Sequence, residues 1–329
     1  MDTQPTSRTT AIGVLCGVGA ALLWAAGFVA ARHGIDRGMI AADITFHRCF
    51  WAGLVFLPMA WRDGLADLNG IGWGRGLILT FLGGPGIAFA SYSGFHLVPL
   101  GHGGVIQPST AALCGLVLAT VVLMERLSLR RAMGALVIVA GLAVIGTEAI
   151  ATIGAHGLLG DGLFALAGLM FASFGSLLRK WRVPPMRATV AVSVVSLVIL
   201  PIYWIATGFD RLIAMGFWEN LIQAVFQGLM AGPGAIYLFT RSIVMLGAGR
   251  AAVFPALVPP SVLLIGWLAL GIVPTVRHAD YIGSWLEVLR EECEPGRLMI
   301  FARAVTTPEE ALRVVTLEEA TPEMADMRT

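Results

Sequence analysis

Charge is what this 329-residue chain has least of. Only 13% of its residues are Asp, Glu, Lys or Arg, against 57% hydrophobic ones, and a water-soluble domain does not tolerate that balance on its surface. Lysine is nearly missing as well. Lys180 is the only one, so arginine supplies almost every basic side chain, and with the abundance of Ala and Gly this bias hints at a GC-rich, bacterial genome. Four cysteines give no disulfide framework and no metal-ligand spacing. Cys16, Cys49 and Cys114 fall in apolar runs and Cys293 in a polar tail. No His-Glu-x-x-His pair occurs, and no paired carboxylates or nucleophile with its base stand within an apolar run, which removes the usual signatures of a membrane-embedded enzyme. The net charge of +1 says little, because the charges are mostly confined to loops and to the last fifth of the chain, and no nucleic-acid partner is expected.

What the chain has is hydrophobic runs. With about 20 apolar residues needed per crossing, spans are expected near residues 11–32, 41–61, 74–97, 102–124, 132–147, 158–179, 188–207, 220–246 and 250–272. The first run exceeds a signal-peptide core in length and is kept as a helix. The expected fold is thus an all-α integral membrane protein. If residues 1–10 are cytoplasmic, the inner segments hold eleven basic residues and the outer loops three, Arg32, Arg37 and Arg211. That asymmetry favours a cytoplasmic N-terminus in a plasma membrane, the inner membrane of a bacterium.

The runs also repeat. Gly84-Pro85-Gly86 and Gly232-Pro233-Gly234 each interrupt an apolar stretch, 148 residues apart. Arg32 and Arg179 end corresponding helices, and Leu57-Pro58 with Trp61 returns as Leu200-Pro201 with Trp204. Five spans is an odd number, so a second copy enters the membrane from the opposite side. The expected architecture is an inverted repeat of five-helix units, residues 11–147 and 148–275, with the tenth helix missing. After Thr275 the chain becomes a polar tail, residues 276–329, with eleven acids against six arginines.

Several residues could carry function. Arg48 is a guanidinium inside a span, and either faces an interior path or snorkels to an interface. Arg241 has the same two readings, with a helix end close by. Trp24 offers an aromatic wall, and Tyr92, Gln107, Tyr237 and Thr240 offer hydrogen bonds to a substrate or to neighbouring helices. Gly84, Pro85, Gly86, Gly232, Pro233 and Gly234 suit either hinges or static kinks. His96 and His102 flank a short outer loop, where either a pH-sensing role or a solvated histidine fits; Asp161 reads as interfacial. No cofactor or metal is expected. The partners implied are a small-molecule substrate and the bilayer, and a second copy of the chain could cover the face that a tenth helix would occupy.

Leu23-Trp24-Ala25 in the first helix, Phe46-His47-Arg48 in the second, Met124-Glu125-Arg126-Leu127-Ser128 after the fourth, the two Gly-Pro-Gly helices, and Pro259 followed by Leu270-Gly271 together resemble the EamA type of the drug/metabolite transporter superfamily, over residues 10–275. The resemblance implies a secondary transporter and leaves the solute open. Two departures stand out. Ten helices are usual there, and Ile272 occupies the place of a customary glutamate. Residues 278–289 resemble instead the C-terminal helix of antirestriction proteins with a zincin-like metallopeptidase domain, which implies a tail of foreign origin without the zinc chemistry. The rival readings are a fused, inactive remnant of a transporter and an enzyme within the membrane. An enzyme would convert its substrate without accumulating it.

Overall fold

Apolar stretches that cannot hydrogen-bond to lipid must satisfy their backbones internally, and helices do so. The computed structural model describes residues 7–64, 66–68, 70–122, 124, 155–246, 251 and 254–272, and every regular element among them is helical. The fifth expected span and the polar tail lie outside the described residues.

Helix α1 (Ser7–Asp36) is followed by α2 (Ala41–Asp63), α3 (Trp73–Gly83), α4 (Pro85–Phe95) and α5 (Leu100–Val121). The later part contributes α6 (Ala155–Trp181), α7 (Pro185–Val195), α8 (Ile199–Thr207), α9 (Asp210–Gln223), α10 (Ala235–Leu246) and α11 (Val258–Leu270). Six helical stretches have the length and apolar character to cross a membrane: Thr9–Asp36, Trp73–Phe95, Leu100–Val121, His156–Trp181, Met186–Thr207 and Asp210–Leu246. This is a multi-pass membrane protein. Two of the nine expected spans differ from those six for identifiable reasons. Helix α2 is long enough but carries Asp43, His47, Arg48, Arg62 and Asp63. The last expected span is a 3₁₀ turn, Phe254–Leu257, leading into α11 with proline in its first turn. Prolines tolerated at a helix start end any helix arriving from upstream.

The two Gly-Pro-Gly sequences fold differently. The first is a break: Gly84 has φ −113° and ψ −121°, its N–H closes α3 on the Thr80 carbonyl at 2.8 Å, and Pro85 opens α4 at the position where a missing N–H costs nothing. The second lies inside an unbroken π-helical segment, Ala224–Gly234, that joins α9 to α10. The wider π turn absorbs Pro233 without interrupting the helix, a device common at functional sites. Helix α9 begins ten residues before the expected span, and its start is separated by a non-helical Gly216 (φ 80°, ψ 170°).

Packing is reciprocal between the earlier and later helices. Helix α1 packs on the π segment, α10 and α11, while α6 packs on α3, α4 and α5. Helix α2 packs on α7 and on the π segment, and α3 on α7. Glycines set these distances. A Cβ on Gly168 of α6 would lie 2.6 Å from the Gln107 carbonyl oxygen and 2.9 Å from the Ala111 nitrogen, both backbone atoms of α5. A Gly168→Leu variant is therefore expected to lose about 1–3 kcal/mol by overpacking, read as a lowered melting temperature of the detergent-solubilised protein.

Candidate functional site

Polar groups left in an apolar interior have to find one another, and here they join α1, α2, α4 and the π segment. Arg48 on α2 donates from Nη1 to the Tyr92 hydroxyl at 3.4 Å. Tyr92 donates in turn to Gln227 Oε1 at 2.8 Å, and Gln227 Nε2 donates to the Gly27 carbonyl at 2.6 Å. Tyr92 and Gln227 are buried, whereas Arg48 keeps partial exposure although its neighbours His47 and Cys49 are buried. Close approach makes the chain of bonds feasible: a Cβ on Gly228 would lie 2.9 Å from the His47 carbonyl oxygen, and one on Gly27 would lie 2.6 Å from Ala231 Cβ. Both are places where a side chain would push α1 or α2 away from the π segment.

The bonding order leaves the guanidinium underused. The Tyr92 proton is committed to Gln227, so its oxygen accepts from Arg48, and among the described residues one N–H of a five-donor fork is then engaged. Among the described residues Arg48 forms no ion pair with a carboxylate. Asp43, on the same helix and fully buried, is held by Tyr203 Oη at 2.6 Å, by the Ile40 N–H at 2.9 Å and by Arg211, whose Nε lies 3.4 Å away. His47 lies 3.0 Å from Asn220 Oδ1 and accepts from the Trp51 indole at 3.0 Å, on a different side of α2 from Arg48. A forked cation with spare donors beside a phenol is suited to a carboxylate or similar anion.

The other residues named from sequence sit around this chain unevenly. Gln107 on α5 accepts from Ser91 at 2.8 Å, one residue from Tyr92. Trp24 on α1 packs against Phe239 with ring centroids 5.3 Å apart and borders the apolar cluster around Tyr92. Thr240 is partly buried on α10, while Tyr237 and Arg241 on that helix are exposed. Gly84, Pro85 and Gly86 stand at the α3–α4 break, and Gly232, Pro233 and Gly234 end the π segment that carries Gln227.

Sequence reasoning passed over Gln223 and Gln227. Gln223 donates to the Ala30 carbonyl at 2.7 Å, so two amides four residues apart both grip the backbone of α1. Their spacing on one helical face was the available signal. His102 is a correction. Read as solvated, it is buried because Gly103 and Gly104 draw α5 tightly onto Phe164 and Val262, and it meets Asp161 of α6. Asp161 is buried too.

With this geometry in view, the comparisons with known proteins fall into place. Residues 11–147 match the EamA-like transporter family. A solved structure described only as "Crystal structure of protein" superposes with a TM-score of 0.59 at 18% identity, covering 92% of this chain and 99% of its own, a likeness of fold alone. No curated protein matches. The metallopeptidase resemblance of the tail gains no support from these comparisons.

Proposed function

We propose that the chain is a secondary transporter of a small metabolite, working by alternating access between two inverted halves, with Arg48 receiving a negatively charged group of the solute. The observation that carries this reading is the bonded chain Arg48–Tyr92–Gln227–Gly27, which ties both Gly-Pro-Gly helices to a partly exposed cation. Alternating-access carriers bind at such a junction, where interrupted helices of two repeats meet near the middle of the bilayer.

The reciprocal packing supports the inverted repeat. The first helix of each half lies on the third and fourth elements of the other, and the second helices lie on each other, as a pseudo-twofold axis in the membrane plane requires. In this reading residues 148–275 form a second, truncated EamA-like unit, the N-terminus is cytoplasmic, and nine spans cross the plasma membrane. The break at Gly84 and the π turn before Gly234 act as hinges. Gln107, Trp24 and Thr240 line the path; Tyr237 and Arg241 join it only when α10 moves.

The test is a flux screen in proteoliposomes holding the full chain, with isotope-labelled organic acids, amino acids and neutral metabolites. Saturable accumulation of an anionic or zwitterionic solute is expected. A solute chemically converted without accumulation would identify an enzyme instead.

A further inference from the structure

The helix that carries Gln227 presents a polar stripe to α1. Glu219, Gln223 and Gln227 recur every four residues along α9 and the π segment, a spacing that keeps them on one face. Glu219 Oε2 lies 3.0 Å from His33 Nε2, and its Oε1 lies 3.6 Å from Arg37 Nε. Gln223 and Gln227 donate to the Ala30 and Gly27 carbonyls. The facing residues of α1 are small. A Cβ on Gly34 would lie 2.6 Å from Gln223 Nε2 and one on Gly27 would lie 2.6 Å from Ala231 Cβ, while Ala31, on the same face between them, is fully buried.

The two ends of this seam differ in chemistry. Toward its start, α1 packs Gly13 on Leu246 and Met245 and Gly17 on Phe254, all apolar side chains. Toward its end the contacts are ionic and reach water, with Glu219 20% and Arg37 62% exposed. Exposed ion pairs exchange with water at little cost, whereas close apolar packing holds its shape. Gln223 biases the seam further. Its Oε1 is buried without a hydrogen-bond partner among the described residues, a penalty that ends when water enters. The Ala30 and Gly27 carbonyls lie inside α1 and keep their helical bonds when the amides let go. Gly216, with φ 80° and open space where a Cβ would sit, supplies a bend three residues before Glu219. The turn ahead of that bend stays tied to α2, through Leu212 in one cluster with Phe46 and through Arg211 beside Asp43.

We propose that Glu219, held by His33 and Arg37, is the latch of a gate at this end of the solute path, and that its release parts α1 from α9 so that Gln223 and Gln227 line the way to Arg48. The path rests on the transport reading above; that Glu219 holds the seam shut does not. With a cytoplasmic N-terminus this is the outer gate. Helix α1 pivots on Gly13 and Gly17. The opened seam offers amide donors and acceptors directly beside Tyr92 and Arg48, which suits a solute with hydrogen-bonding groups in addition to its negative charge.

The experiment is thiol labelling of the full chain with its four cysteines replaced by serine. Ala31→Cys reports the seam, and Ala20→Cys, also fully buried on α1, reports the region nearer the pivot. In detergent, Glu219→Gln is expected to speed labelling of Ala31→Cys by a polar thiol reagent roughly tenfold and to leave Ala20→Cys within about twofold. Asp36→Asn, which breaks the Arg32 pair on the same turn and leaves Glu219 in place, is expected to change neither rate. Unchanged labelling of Ala31→Cys in Glu219→Gln overturns the latch, and so does an equal rise at Ala20→Cys, which marks general loosening. In proteoliposomes, His33→Cys with Glu219→Cys, bridged by a short cleavable thiol cross-linker, is expected to lose solute flux roughly tenfold and to regain it on cleavage. Full flux in the bridged protein overturns the gate. Should the flux screen find no carried solute, the transport reading fails, and the labelling still decides whether Glu219 holds the seam.

Discussion

Arg48→Ala is expected to lower flux of an anionic solute roughly a hundredfold while the protein inserts and melts nearly as the wild type does. Each hydrogen bond to a charged group contributes about 1.5–3 kcal/mol, and losing a two-pronged contact removes about 2.7 kcal/mol or more, which is the hundredfold. Stability changes little because, among the described residues, the only protein bond lost is the long one to Tyr92, whose hydroxyl keeps Gln227. Arg48→Lys retains the charge without the planar fork and is expected to fall between the two. The check is initial uptake into proteoliposomes at matched protein content, beside a thermal melt. Wild-type flux in Arg48→Ala would remove Arg48 from the path.

Asp43→Ala is expected to show the opposite pattern, a stability loss of about 2–4 kcal/mol. A buried Tyr203 hydroxyl loses its acceptor, worth about 1–3 kcal/mol, and the Ile40 N–H at the start of α2 loses its cap, worth about 1 kcal/mol. The ion pair with Arg211 adds little, since that side chain is 40% exposed and also bonds to the Gly38 carbonyl. Asp43 stitches α2 to α8 and α9, so weakening it also loosens the seam between the earlier and later helices near the start of α2. A melting temperature equal to that of the wild type would show that the Asp43 cluster does not hold these helices together.

The two variants separate the residues that sequence made legible from those it did not. Arg48 stood out because a guanidinium in an apolar run needs an explanation, and Tyr92 because it follows the first Gly-Pro-Gly by less than two turns. The helices themselves were legible for the same reason: their runs are long and apolar. Gln227 was silent, since one amide in a span is ordinary and only its pairing with Gln223 distinguishes it. His102 misled because its place beside a short loop between two spans suggested solvent, whereas burial came from glycines whose partners, Phe164 and Val262, lie far along the chain. The same tripeptide gave a break at Gly84 and a continuous π turn at Gly232. Identical local chemistry was resolved by different neighbours: Ser196 and the Thr80 carbonyl crowd Gly84, while Gly232 faces only Ala52 and its own helix.

Alternating access around this junction is the central claim, and single-cysteine labelling tests it most directly. In a background with Cys16, Cys49, Cys114 and Cys293 replaced by serine, Trp24→Cys lies one helical turn from the Gly27 carbonyl that Gln227 grips. A membrane-impermeant thiol reagent is expected to reach it from either side of oriented vesicles, with the carried solute slowing both reactions. Labelling from one side only, or from neither, with no effect of solute, would contradict a path shared by the two halves.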